Sequence, residues 1–176
     1  MSGCVRVFIA CSLDGFIAGP DDDLSWLPQL ESDPSGEDYG YTAFIEGTAA
    51  ILMGRRSYDV VAAFDRWPYG DTPVFVATSR PLEPVTTTVT ALAGTAPELL
   101  ADVRARIDGS IYLDGGALIR SFIEDDLVDE MTVTMVPVIL GGGSPLFGGT
   151  SKRQALRLLS ASSYPNGLVQ LRYATA

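Results

Sequence analysis

The chain has 176 residues, 47% of them hydrophobic, enough for one substantial core, so residues 1–176 are expected to form a single domain. A net charge of -10 argues against non-specific binding to nucleic acid or to an anionic membrane. Histidine is absent, so no metal site is expected, and any chemistry falls to carboxylates, hydroxyls, backbone groups or a cofactor.

Val5 to Ala10 is uniformly apolar and predicts a central strand covered on both faces, ending at the turn Ser12-Leu-Asp-Gly15. Cys4 and Cys11 fall in that predicted strand at seven-residue spacing, about 23 Å apart on opposite faces, too far to bridge. This fits a reducing compartment. With no leader-like N-terminus and no apolar run of membrane-spanning length, a soluble cytoplasmic protein is expected. Pro20 to Leu30 reads as a loop around Asp21-Asp22-Asp23 and Trp26. Ser35-Gly36-Glu37-Asp38 then offers an N-cap with an acid three residues on, and Tyr41, Phe44 and Ile45 form the apolar stripe of a helix to about Thr48.

Ala49 to Met53 predicts a second buried strand, running into Gly54-Arg55-Arg56-Ser57 and a helix carrying Tyr58, Val61, Ala62 and Phe64. Val74 to Thr78 predicts a third, ending at Ser79-Arg80-Pro81. Thr86 to Ala91 is β-branched and predicts extended chain. Thr95-Ala-Pro-Glu98 is a capping box for a helix buried through Leu99, Leu100, Val103 and Ile107. Ile111 to Asp114 is a short strand that turns on Gly115 and Gly116 into a helix with Leu118, Ile119, Phe122 and Ile123. Met131 to Leu140 is extended but interrupted by Pro137, and Gly141 to Gly149 is a glycine-dense loop. Leu156 to Ser162 and Leu168 to Tyr173 predict strands joined across Asn166-Gly167. Alternating strands and helices followed by a hairpin predict an α/β fold: a mostly parallel twisted sheet flanked by helices, with a C-terminal antiparallel hairpin.

Three loops fall at predicted strand ends: Gly54-Arg55-Arg56-Ser57, Thr78-Ser79-Arg80 and Asp114-Gly115-Gly116-Ala117. Ligands of open α/β sheets bind beyond the carboxyl ends of the strands. Arginines for charge-assisted bonds, hydroxyls, and free N–H groups at two helix starts suit a ligand with several phosphates. Neither a P-loop nor a Gly-x-Gly-x-x-Gly fingerprint is present.

Ser12-Leu-Asp-Gly-Phe-Ile-Ala18, Leu52-Met-Gly-Arg-Arg-Ser-Tyr58, Val76-Ala-Thr-Ser-Arg80, Tyr112-Leu-Asp-Gly-Gly-Ala117, and Asp129-Glu130 followed by Pro137-Val-Ile-Leu-Gly-Gly-Gly-Ser-Pro-Leu-Phe147 together span nearly the whole chain. In this order they resemble the dihydrofolate reductase superfamily, and within it the branch of the riboflavin-biosynthesis reductase C-terminal domain and its stand-alone members. The resemblance implies a dihydrofolate-reductase-like fold, NADPH as cofactor, a small heterocyclic substrate and a homodimer. It implies that Gly54, Arg55, Arg56 and Ser57 meet cofactor phosphates, and Thr78, Ser79 and Arg80 the 2'-phosphate region. Gly115, Gly116 and Ala117 resemble the pyrophosphate turn, and Ala10 and Ile17 the nicotinamide pocket wall.

By the same resemblance Asp38 stands where folate-reducing members carry an acid that grips the ring, although Asp38 equally suits a helix N-terminus. Asp14 is a second polar candidate, explained as well by an Asp-Gly turn. The His/Cys zinc ligands of the fused deaminase are absent, leaving only the reductase half. The expected activity is reduction of a pteridine- or pyrimidine-like ring, with a ribosylaminopyrimidine reductase as one form. The alternatives are a dihydrofolate reductase and a non-catalytic nucleotide-binding protein.

Overall fold

The computed structural model describes residues 3–27 and 36–176. In chain order the first half contains β1 (Val5–Ser12), β2 (Phe16–Ala18), a 3-10 turn at Pro20–Asp22, α1 (Tyr41–Glu46), β3 (Ala50–Gly54), α2 (Arg55–Ala62) and β4 (Val74–Ala77). The second half contains β5 (Val89–Leu92), α3 (Ala96–Arg104), β6 (Ile111–Asp114), α4 (Gly116–Glu124), β7 (Glu130–Val136), β8 (Ser144–Pro145), β9 (Leu156–Ser163) and β10 (Val169–Thr175).

Side-chain alternation splits the apolar residues between two layers. Ala50 and Leu52 of β3, Val5 and Val7 of β1, and Ile111 and Leu113 of β6 pack under α3 and α4. Ile51 and Met53, with Val74 and Val76 of β4 and Tyr112 of β6, pack against Tyr58 and Val61 of α2 and Phe44 of α1. Ala50 to Met53 are fully buried, so β3 is apolar at every position because both its faces are covered. The strand order β5-β4-β3-β6-β1-β7-β10-β9 is parallel from β5 through β7 and antiparallel in its last two pairings. The sequence-derived fold class therefore holds, a mainly parallel sheet flanked by helices with a C-terminal hairpin. Gly167 (φ +87) takes the left-handed turn conformation that the Asn-Gly pair predicts.

Boundaries move where a local interaction outcompetes the pattern. β7 stops at Val136 because Pro137 has no N–H to donate. Thr86 to Thr88 form a turn, the Thr88 N–H donating to Thr86 Oγ1 at 3.3 Å, so β5 starts only at Val89. α1 begins at Tyr41 rather than near Ser35, which itself lies outside the described residues. Phe64 lies beyond the end of α2 and is exposed, not on a buried face. The glycine-dense loop contains β8, which pairs with β2 as a separate antiparallel ribbon. Cys4 is exposed and Cys11 buried, and both are free thiols. Among the described residues no helix is long and apolar enough to cross a membrane.

Candidate functional site

Register brings four strand ends level. Gly54 pairs with Ala77, Ala77 with Leu92, and Met53 with Asp114. Three helices start from these ends, and their caps differ. At α3, Glu98 accepts hydrogen bonds from the Thr95 N–H (2.7 Å) and hydroxyl (2.8 Å), forming the predicted capping box. Glycines cap α2 and α4, at Gly54 and Gly115, and neither helix has a side-chain cap. Their first N–H groups keep the partial positive charge of a helix start for a ligand.

Between these ends lies a cavity of about 400 Å³, lined by Gly54, Arg55, Thr78 and Ser79 on one side and by Gly94, Ala117 and Ser121 on the other. A Cβ at Gly54 would meet no atom within 4 Å, so this glycine faces open space and leaves the backbone bare to a ligand. Gly115 is constrained instead: its φ is +100, and a Cβ there would lie 2.8 Å from Ser57 Oγ and 3.3 Å from the Gly54 nitrogen. Only glycine lets the β6–α4 turn close on the β3–α2 turn. Arg55 is held beside the cavity, Nε donating to Asp59 Oδ1 at 2.7 Å and Nη1 to the Pro81 carbonyl at 2.8 Å.

The predicted residues divide accordingly. Gly54, Arg55, Thr78, Ser79 and Ala117 line one cavity. Gly115 and Ser57 close the wall between the two glycine turns, and Gly116 abuts Ile17, whose Cδ1 would lie 2.6 Å from a Cβ there. Arg56 is exposed and paired with Asp22, and Arg80 is exposed, its N–H donating to Thr78 Oγ1 at 3.1 Å. Ala10 packs with Tyr39, Trp26 and Tyr164 in a separate cluster, away from the cavity lining. Asp38 accepts from the Gly40 N–H (2.8 Å) and the Thr42 N–H (2.9 Å) at the start of α1. The Thr42 hydroxyl and these backbone donors hold its pKa below the usual carboxylate value. The Asp14 carboxylate accepts from Ser12 Oγ (2.6 Å) and the N–H groups of Leu140 and Gly141, which together lower its pKa to about 2. Both acids are engaged in holding backbone.

Asp114 differs from both. It ends β6 one strand from Gly54, and burial pushes its pKa up to about 6 against the opposing hydrogen bonds of the Gly115 N–H and the Ser57 hydroxyl. Three tyrosines feel its charge. Tyr41, Tyr69 and Tyr112 have phenol pKa values raised first by burial and then by the Asp114 charge. Tyr41 and Phe44 flank Phe8 at 5.6 and 4.9 Å between ring centroids, and the Tyr112 hydroxyl donates to the Phe8 carbonyl at 3.1 Å. Sequence reading named Asp114 only as the end of a strand and the first residue of the Gly-Gly loop, with no chemical role of its own. An acid closing a short apolar strand against a Gly-Gly turn was the available signal. The contribution of Leu92 to Gly94 was also missed, because nothing in that stretch resembles a binding motif.

The model of the RibD C-terminal domain family matches residues 4–170. The chain belongs to that family. As a RibD C-terminal domain it is 33% identical to the uncharacterized protein YwjB of Bacillus subtilis (strain 168), over 97% of each chain. The uncharacterized protein YyaP of the same organism is 29% identical, over 94% of this chain and 91% of its own. Among solved structures, a candidate riboflavin biosynthesis protein of Shewanella sp. PV-4 superposes with a TM-score of 0.89 at 35% identity, covering 98% of this chain and 99% of that one. The Thermotoga maritima diaminohydroxyphosphoribosylaminopyrimidine deaminase/5-amino-6-(5-phosphoribosylamino)uracil reductase shares the fold, with a TM-score of 0.73 at 15% identity. This RibD-type domain covers 57% of that longer chain.

Proposed function

We propose that this RibD-type domain is an NADPH-dependent reductase of a small pteridine- or pyrimidine-like heterocycle. One observation carries the reading: a cavity at the carboxyl ends of parallel strands, with two helices starting beside it without side-chain caps and Arg55, Thr78 and Ser79 in its wall. These groups fit a phosphorylated nucleotide, which needs backbone donors, one fixed guanidinium and hydroxyls rather than an apolar pocket.

Bound NADPH supplies a hydride. The residues of the chain do the rest. Arg55 and the free N–H groups of α2 and α4 hold phosphate oxygens, and Thr78 and Ser79 donate hydroxyls beside them. Ile17 of β2, against Gly116, walls the nicotinamide side. With its pKa raised to about 6, a minor fraction of Asp114 is protonated near neutral pH and delivers its proton to a ring nitrogen, while the aromatic residues near it favour a flat heterocycle. A carboxyl with a pKa of about 6 suits this role better than Asp38, whose oxygens serve the start of α1.

A ribosylaminopyrimidine is the substrate class favoured by the family, with a dihydropteridine next. The test is NADPH consumption with each ring type, in the parent chain and in Asp114→Asn. Turnover of one ring type, reduced at least about tenfold by Asp114→Asn, is expected. NADPH binding without consumption on any ring would contradict the catalytic reading and leave a nucleotide-binding protein.

A further inference from the structure

We propose that Arg120 makes the site discriminate between the reduced and the oxidised cofactor, its uncompensated charge repelling the cationic ring of NADP+ and sparing the neutral ring of NADPH. The inference deepens the NADPH-binding reading above and rests on it. Arg120 stands one turn into α4, four residues after Gly116. Side chains of a helix lean toward its N-terminus, so residue i+4 covers residue i. Here residue i is a glycine, and the guanidinium occupies the space that a side chain would need. A Cβ on Gly116 would lie 3.1 Å from Arg120 Nη1, 2.6 Å from Ile17 Cδ1 and 3.4 Å from the Pro145 carbonyl oxygen. Arg120 Nη1 donates to that carbonyl. Pro145 of β8 pairs with Phe16 of β2, so the hydrogen bond ties the guanidinium to the ribbon that carries Ile17. The charge and the apolar wall assigned to the nicotinamide thus meet over the Gly-Gly turn.

No ion pair cancels that charge. Arg55 and Arg56 are paired with Asp59 and Asp22, whereas among the described residues no carboxylate lies within ion-pair distance of Arg120. The start of α4, which has no side-chain cap, adds its own partial positive charge. This local field runs against Asp114, two residues before Gly116, and against the net charge of -10, both of which attract a cation. NADPH and NADP+ carry the same phosphates, so whatever Arg120 contributes to holding phosphate is common to the two. Only the ring differs, neutral before it gives up the hydride and positive afterwards. A fixed cation near it weakens the oxidised form alone, which favours uptake of NADPH and release of NADP+.

The test is calorimetric titration of NADPH and of NADP+ into the parent, Arg120→Gln and Arg120→Lys. Glutamine keeps a donor for the Pro145 carbonyl and loses the charge; lysine keeps the charge. The parent is expected to bind NADPH more tightly than NADP+. The ratio of the two affinities should narrow roughly three- to tenfold in Arg120→Gln and stay within about twofold of the parent in Arg120→Lys. NADH and NAD+ should show the same narrowing, since the 2'-phosphate plays no part in it. Added salt should narrow the ratio in the parent itself, a reading that depends on no variant folding. A folded Arg120→Gln with the parent's ratio, a parent that binds NADP+ as tightly as NADPH, or a parent ratio that salt does not narrow would overturn the inference and leave the NADPH-binding reading standing. A parent that binds neither form would overturn that reading and this inference with it.

Discussion

At the scale of single residues, the proposed proton delivery rests on Asp114. Its carboxyl titrates near pH 6 because burial outweighs the Ser57 and Gly115 hydrogen bonds, so proton delivery should weaken as pH rises through about 6. A rate profile falling above that value is expected in the parent, and the fall should disappear with the rate itself in Asp114→Asn. The same shift affects stability. A carboxyl raised from 3.8 to about 6 on folding contributes stability fully present below the unfolded value and lost as pH rises to about 6. Asp114→Asn should thus gain up to about 3 kcal/mol at pH 7 relative to the parent, and nothing near pH 3, in urea titrations at the two pH values. Stability equal to the parent at pH 7 would show that the carboxylate is better solvated than its surroundings imply. Asp38→Asn is the contrasting variant: its one amide oxygen still accepts from either the Gly40 or the Thr42 N–H, so turnover should stay within about twofold of the parent.

At the scale of elements, two glycine turns and one acid latch hold the site together. Gly115→Ala would force a Cβ against Ser57 Oγ and the Gly54 nitrogen at φ +100, and should cost about 2–4 kcal/mol in urea unfolding. Gly54→Val is different, since its backbone is extended and no atom lies within 4 Å of the new Cβ; it should fold normally yet obstruct the cavity. Asp14 ties the β1–β2 turn to the glycine-rich loop through Leu140 and Gly141, so Asp14→Ala should speed exchange of those two amides while β3 and β6 exchange as before. Its depressed pKa means that the latch is fully formed above about pH 4 and weakens as pH falls toward 2.

Much of this was legible in the residues. Alternation, the Gly-Gly turn, the Thr95–Glu98 box and Asn166-Gly167 each act locally, so local sequence reports them. The β2–β8 ribbon was not legible, because strands of three and two residues carry no period. Nor was the environment of Asp114. Its charge acts on Tyr41 and Tyr69, which come from separate parts of the chain and approach it only once the sheet has formed.

At the scale of the whole molecule, an acidic chain places Arg55, Thr78 and Ser79 around a cavity at one end of a parallel sheet and carries no acidic residue after Glu130. The central claim is that the cavity between β3, β4, β5 and α4 seats NADPH. Calorimetric titration of the cofactor-free protein with NADPH and NADH tests it most directly, repeated for Arg55→Ala, Arg56→Ala and Gly54→Val. The account predicts tighter binding of NADPH than of NADH, weakened roughly 10- to 100-fold by Arg55→Ala, abolished by Gly54→Val, and changed less than about threefold by Arg56→Ala, whose side chain is exposed on Asp22. Equal affinity of Gly54→Val and the parent for NADPH, with both folded, would contradict it.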